Sequence, residues 1–471
     1  MRLVDVLKTQ NEWWKSGCVP NALLKETKRE EFSKAIKFLS DERIISIIGP
    51  RRTGKTTLLY QVIQYLLKNG LESKRVLFFS ADDPSLRPYS KSLFENIFNT
   101  YFEEILIEEK RKEKVYIFID EVHFYDGWEH WLKKYYDMGY LIKFIVSSSS
   151  SAHLSTRSRE SLVGRIIEIL LLPLNFRSYL YLLRKDEIIE HYEHYIKFIE
   201  PAGISFKDGD LNSSIKNNFE LLKYEQELKI LFSKYLLWGG LPESMKEKEI
   251  VLWQEKLISD VLRKVIYRDI VELYYVRTPS KLEDLFVHLS YNSSNTFSYS
   301  SLSKNLGMSI ESVMNYITYL LESYLIGELK LFSKSIEKTL RSNRKYFIMD
   351  SGLQNSITRT TDLTEINVGL LVESVVQKHL FVFAKLNNYN VYYWREKEEV
   401  DIVLDTRSAV LPYEVKYKTK IKKDDIKGLL KFMNEFKIET GFVVTRDVLE
   451  KQVIDGKHIV LIPAWLFLLS L

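Results

Sequence analysis

"RIISIIGPRRTGKTTLLYQVIQYLL", Arg43 to Leu67, joins a short apolar run, a glycine-bearing turn and a second run of helical period. Ile44–Ile48 reads as a buried strand, and the residues after Lys55 read as a helix. Between them Gly49, Pro50, Arg51, Arg52, Thr53, Gly54, Lys55 and Thr56 spell G-x-x-x-x-G-K-T, with Thr57 following. That spacing, with a strand before and a helix after, is the phosphate-binding loop pattern. The two glycines let the backbone curl so that its N–H groups face phosphate oxygens, and the helix N-terminus adds partial positive charge. Residues 49–57 are therefore expected to hold ATP. Lys55 would reach the β- and γ-phosphates, and Thr56 would offer its hydroxyl to Mg2+.

The partner carboxylates follow in "KVYIFIDEVHFYDGWEH", where an apolar run from Val115 to Ile119 ends in Asp120 and Glu121. At the C-terminal end of a parallel strand such groups emerge beside a nucleotide. Asp120 is expected to hold magnesium, and Glu121 to orient and deprotonate the attacking water. Two further apolar runs, at 75–83 and 141–154, complete the expected parallel sheet. The second ends in serines 147–151, of which Ser148 is assigned to the γ-phosphate; a plain polar loop is the competing reading. A last strand is expected from Ile166 to Leu172. Arg165, just before it, is either an arginine finger, in cis or across a subunit interface, or a salt-bridged surface residue.

Composition sets the frame for these motifs. A chain of 471 residues exceeds one ordinary core, so several domains are expected. With 45% hydrophobic and 28% charged residues it is globular and not disordered. The net charge of +5 is too small to argue for nucleic acid by itself. Cys18 is the only cysteine, which excludes an intramolecular disulfide and a cysteine-rich zinc site. The N-terminus has no apolar signal core, and the C-terminal run "IVLIPAWLFLLSL" is too short to span a bilayer. No membrane association and a cytoplasmic location are expected.

The order of the P-loop, "FIDEVH", the serine run and "GR" before "LPL" resembles the AAA-type ATPase module of a large archaeal and bacterial family. In that family the module precedes a C-terminal region of restriction-endonuclease-like fold, long described as a domain of unknown function. "YLLWGGLPE", "YRDI", "YFIMDSGL" and "GLLVESVV" follow in the same order, so the resemblance spans nearly the whole chain. It implies Mg2+-dependent ATP hydrolysis.

The remainder divides by pattern. Residues 1–35 read as an N-terminal helical segment, 36–175 as the ATPase core and 176–250 as a helical lid or linker, interrupted by the turn-rich "EPAGISFKDGDLNSS". Residues 251–335 suggest a winged helix: a helix from Ser300 to Leu306, a turn at Gly307, and a second helix N-capped by Ser309. The apolar stripe of that second helix is Ile310, Val313, Ile317, Leu320 and Leu321, and the helix carries no lysine or arginine. A scaffolding or protein-contact role is preferred over DNA reading.

Residues 336–471 hold the last motif. "EVDIVLDTRSAVLPYEVKYK", Glu399 to Lys418, reads as a hairpin that turns between Arg407 and Ser408, which sets Asp401 opposite Glu414. Facing carboxylates repel. With Glu373 on the preceding helix and Lys416 beyond Glu414, they resemble the metal site of PD-(D/E)xK nucleases. That resemblance implies a second Mg2+ or Mn2+ held by Glu373, Asp401 and Glu414, with Lys416 activating water. An ion-pair ladder on a silent fold is the alternative. The whole is read as an α/β protein: a P-loop ATPase of parallel sheet, a helical lid, a winged-helix connector and a nuclease-like domain. DNA, a protein partner or further copies of the chain are the expected partners. Two functions remain open: ATP hydrolysis coupled to DNA processing, or an ATP-driven switch or remodeller acting on a protein partner.

Overall fold

The computed structural model describes residues 2–86, 92–107, 113–149, 162–199 and 223–471. Ser150, Ser151 and the expected loop at 200–214 lie outside them. The chain forms two compact units, Met1–Leu172 with Glu322–Tyr324, and Pro173–Leu321 with Leu325–Leu471.

The first unit is built on β1 (Ile44–Ile48), β2 (Val76–Ser80), β3 (Val115–Asp120), β4 (Ile142–Ser148) and β5 (Ile166–Leu170). All pair in parallel, in the order β2-β3-β4-β1-β5. Alternation along these strands feeds two cores. Val76, Phe78, Phe118, Ile145, Ile45 and Ile47 meet Leu58, Leu59, Val62 and Ile63 of the helix Lys55–Lys68. Leu77, Phe79, Ile117, Ile119 and Val146 turn to the other face, against Phe94, Phe98 and Leu132. Burial on both faces explains why the strands read as near-continuous apolar runs.

Residues 1–35 are part of this unit and not a detached segment. The edge of β2 is covered by their side chains: Asn11 bonds both Phe78 N (2.7 Å) and Phe78 O (2.7 Å), Gln10 accepts from Ser80 N (2.9 Å), and Trp14 donates to Val76 O (2.8 Å). An open strand edge is thereby satisfied without another strand.

The second unit contains the helices Pro279–Tyr291, Tyr299–Leu306 and Ile310–Glu322, with β6 (Thr296–Phe297), β7 (Ile326–Leu331) and β8 (Arg344–Ile348). Helix, strand, two helices and a two-stranded wing is winged-helix topology. Ser309 accepts from Ser312 N (3.0 Å) as the N-cap, and Gly307 takes φ 59°. Val313, Ile317 and Leu320 are buried as expected, but Ile310 is 48% exposed, because the first turn projects past the core.

The expected boundary at 335/336 falls between β7 and β8, which are hydrogen-bonded to each other. β7 also pairs in parallel with β9 (Asn390–Arg395). One nine-stranded sheet therefore runs through wing and C-terminal region, continued by β10 (Glu399–Asp405), β11 (Val410–Lys416), β12 (Thr440–Thr445), β13 (Glu450–Ile454) and β14 (Lys457–Pro463). The C-terminal apolar run is the end of β14 plus the buried helix Ala464–Leu469. No described helix is long and apolar enough to cross a membrane.

"YLLWGGLPE" and "YFIMDSGL", far apart in sequence, form a joint within this unit. Asp350 accepts from Gly240 N (2.7 Å) and caps its own helix at Leu353 N (3.0 Å). A Cβ on Gly239 would lie 2.3 Å from Asp350 Oδ1, so the close approach requires glycine. These motifs are accounted for by packing.

Candidate ATPase site and C-terminal carboxylate cluster

The glycine-bearing loop leaves β1 and enters its helix as the spacing predicts. Gly54 takes φ 96°, and a Cβ on Gly49 would lie 2.0 Å from Leu171 O. Only glycine lets the loop pass that close to the backbone after β5. Arg52 adopts φ 64°. Thr53 Oγ1 and Lys55 Nζ both donate to Pro50 O, at 2.9 and 3.1 Å. Arg29 braces the loop from outside, donating to Thr53 O (2.9 Å) and Leu172 O (2.9 Å) while paired with Glu31. Its position, twenty residues ahead of the motif in a stretch without pattern, left no sequence signal.

The acids of β3 arrive beside this loop. Thr56 Oγ1 donates to Asp120 Oδ2 at 2.7 Å, and Glu121 Oε1 lies 3.8 Å from Lys55 Nζ. Burial and the neighbouring Glu121 raise the Asp120 carboxyl to about 6. A buried carboxylate beside a hydroxyl is a hard-oxygen donor pair, and its chemistry fits Mg2+. Glu121 takes φ 49° at the end of the strand, which turns its side chain away from the path of β3.

In the serine run, Ser147 and Ser149 contact the acids and the histidine beside them. Alternation on β4 sends Ser147 and Ser149 to the acid side. Ser147 Oγ donates to Asp120 Oδ1 and accepts from Glu121 N (3.0 Å). Ser149 Oγ lies 3.2 Å from His123 Nε2, and His123 Nδ1 lies 3.3 Å from Glu121 Oε2. Ser148 meets the loop through its backbone, accepting from Gly49 N (3.3 Å). His123, within "FIDEVH", was read from sequence only as part of the motif.

Arg165 stands corrected as a finger acting within its own chain. Its carbonyl accepts from Ile44 N at the start of β1, whereas the phosphate-binding loop lies past the other end of that strand. Five residues at about 3.3 Å each separate the two. Its guanidinium forks onto Asp137, Nε at 2.7 Å and Nη2 at 3.3 Å. The salt-bridged reading holds inside the chain.

In the second unit the hairpin takes the register read from sequence. Ile402 pairs with Tyr413 and Leu404 with Leu411, which sets Asp401 opposite Glu414. The carboxylates do not meet around an open centre. Lys345 Nζ, from β8, lies 2.6 Å from Glu399 Oε1, 2.9 Å from Glu373 Oε1 and 3.5 Å from Asp401 Oδ1. Gln377 Nε2 also donates to Glu373 Oε1 (3.0 Å), and Val415 N to Asp401 Oδ2 (2.8 Å). Lys416 Nζ is bound to Glu414 Oε1 at 2.5 Å.

Burial, then Asp401, raises the Glu373 carboxyl to about 7 and pushes the Glu414 carboxyl well up. Burial alone would lower the Lys345 ammonium, but Glu373, Asp401 and Glu399 outweigh it and hold it charged. Among the described residues no group of three or more His, Cys, Asp or Glu is arranged to hold a metal ion. The donor set expected for a second metal, Glu373, Asp401 and Glu414, therefore does not fit one: an ammonium sits among its oxygens. Lys345 and Glu399 were missed. Glu399 was visible as the i−2 neighbour of Asp401 on the same strand face, whereas Lys345 gave no local signal.

Three lysines beyond β11 are paired off. Lys418 binds Asp425 (2.6 Å), Lys423 binds Asp455 (2.7 Å) and Lys427 binds Asp424 (3.1 Å).

Three segments of the chain match known domain families. Residues 41–180 match an AAA domain, while 229–364 and 368–467 each match a domain of unknown function. An uncharacterized protein of Methanocaldococcus jannaschii is 26% identical over 89% of this chain and 85% of its own length. An uncharacterized protein of Haemophilus influenzae is 22% identical over 93% of this chain and 98% of its own length. Among solved structures, a Walker-type ATPase of Pyrococcus abyssi aligns with 70% of this chain and 95% of its own, at 15% identity and a TM-score of 0.40. The parallel five-stranded sheet, the loop between β1 and its helix, and the AAA match over residues 41–180 together give the first unit the fold of an AAA-type P-loop ATPase domain.

Proposed function

We propose that the chain hydrolyses ATP by in-line attack of water and uses the cycle to drive binding of a protein partner by the second unit. The observation that carries this reading is the convergence of Lys55, Thr56, Asp120 and Glu121 on one end of the sheet, with Thr56 and Asp120 2.7 Å apart. The loop N–H groups and Lys55 grip the phosphates, Thr56 and Asp120 hold the cation, and Glu121 accepts the proton of the attacking water. Thr56 and Asp120 would hold magnesium, which would supply positive charge against the charge developing on the phosphates. Ser147 positions both acids, and His123 Nδ1 stands 3.3 Å from Glu121 Oε2.

A partner-binding second unit is supported by two features. Its winged-helix helix Ile310–Glu322 lacks the basic residues that phosphate contacts need, yet leaves Ile310 and Met314 exposed at 48% and 46%. Its carboxylate cluster holds a lysine where a nuclease needs a metal. Coupling to DNA processing is therefore the weaker of the two readings.

Phosphate release tests the first half. Lys55→Ala removes the point charge facing the β- and γ-phosphates, so ATP affinity and turnover should both collapse with the far-ultraviolet circular dichroism unchanged. Undiminished turnover in that variant would refute the loop assignment. Plasmid DNA tests the second half. Incubated with Mg2+ or Mn2+, with and without ATP, it should stay intact. Cleavage that disappears in Asp401→Ala/Glu414→Ala would restore the nuclease reading.

A further inference from the structure

Glu121 has a companion two residues along the chain. We infer that His123 is the positioning residue for the base: it holds the second carboxylate oxygen of Glu121 and keeps the carboxylate from closing onto Lys55, while Ser149 sets the tautomer that lets it do so. The inference rests on the reading of Glu121 as the base and deepens it.

Local structure brings the pair together. Glu121 takes φ 49° at the end of β3, and Val122–Phe124 follows as one short helical turn. The reversal brings His123 back alongside Glu121, with Nδ1 3.3 Å from Oε2. Val122 is fully buried in the core, and the imidazole lies against the Phe124 ring with centroids 4.4 Å apart. The histidine side chain is 9% exposed, so the ring is confined on the side of the acids.

The carboxylate needs such a partner. Oε1 stands 3.8 Å from Lys55 Nζ, and Oε2 faces the imidazole. Oε2 is buried and makes no hydrogen bond among the described residues. An unmade hydrogen bond at a buried oxygen is costly, and a small turn of the imidazole supplies one. Without the imidazole, Lys55 is the remaining attraction. A closed Lys55–Glu121 pair would harm both functions. The ammonium would be drawn from the phosphates, and the carboxylate would lose basicity, because an opposite charge at contact favours its ionised form.

Ser149 decides which ring nitrogen carries the proton. Nδ1 must be protonated to meet a carboxylate oxygen, which leaves Nε2 of the neutral ring as an acceptor. Ser149 Oγ lies 3.2 Å from Nε2, just past the end of β4, and Ser149 is buried. Its hydroxyl, donating to Nε2, fixes the proton on Nδ1. The opposite tautomer would set a lone pair against Glu121 Oε2 and repel it. Hydroxyl, imidazole and carboxylate thus form a chain in which a third group orients the partner of the base.

Steady-state phosphate release by the full chain, with kcat and KM for ATP resolved, tests this. The two ring nitrogens can be separated by amides: the Asn nitrogen takes the place of Nδ1, and the Gln nitrogen the place of Nε2. His123→Ala should lower kcat about 10–100-fold, with a smaller rise in KM. His123→Asn should recover most of that loss and His123→Gln should not, while Ser149→Ala should fall between wild type and His123→Ala. In a Glu121→Gln background His123→Ala should change kcat no further, because its effect passes through the carboxylate. Equal kcat in the Asn and Gln variants would overturn the inference, as would a His123→Ala loss undiminished in the Glu121→Gln background. If His123→Ala does not fold, the comparison of Asn with Gln decides alone. Glu121→Gln by itself judges whether Glu121 is the base. A slow Glu121→Gln with equal Asn and Gln variants fails the inference and leaves that reading standing.

Discussion

Glu121→Gln is expected to slow steady-state phosphate release about 10²–10⁴-fold while ATP binding holds or tightens. The amide keeps the size and polarity of the side chain but cannot accept a proton from the attacking water. Lys55, Thr56 and Asp120 are untouched, and the Glu121 N–H still donates to Ser147, so the loop should grip ATP·Mg2+ as before. The carboxylate lies 3.8 Å from Lys55, and its loss also lets that ammonium turn fully to phosphate. The variant should accumulate in an ATP-loaded state and serve to trap a partner that prefers it. Equilibrium ATP binding and phosphate release decide the matter together. Binding weakened as far as in Lys55→Ala would make Glu121 part of the nucleotide grip. Release at the wild-type rate would move the base elsewhere, with His123 and Ser149 next in line.

Lys345→Met should destabilise the second unit by about 3–5 kcal/mol near neutral pH, the usual cost of breaking a buried ion pair from one side. Methionine replaces the volume and leaves Glu373, Asp401 and Glu399 facing one another with only Arg395, 3.6 Å from Glu399, and Lys416, 4.0 Å from Asp401, as counter-charge. Adding Glu399→Gln removes one of those charges, so the double variant should recover part of the loss. Urea unfolding monitored by tryptophan fluorescence reads both, since Trp238, Trp253, Trp394 and Trp465 lie in the second unit. Additive losses in the double variant would mean that the lysine and the glutamate do not act on each other.

Much of the ATPase domain was legible in the sequence. The loop spacing, the apolar strands and the acids at the end of β3 are local patterns that depend on a few neighbouring residues. The hairpin register was legible for the same reason, since a short turn and a period of two set which residues face each other. Arg165 was not, because the sense of a lone arginine depends on which end of a parallel sheet it occupies.

The sequence by itself determined a phosphate-binding loop between strand and helix, two acids to serve it, and a hairpin with facing carboxylates. Only the tertiary structure decided what those hairpin carboxylates hold. Lys345 stands 56 residues before Asp401 and three strands away in the sheet order, so no window of sequence contains both. A charge buried by folding needs counter-charge within a few ångströms, because an unpaired charge in a medium of low dielectric is costly. Which charge comes within that range is set by strand order, and strand order is a property of the assembled sheet.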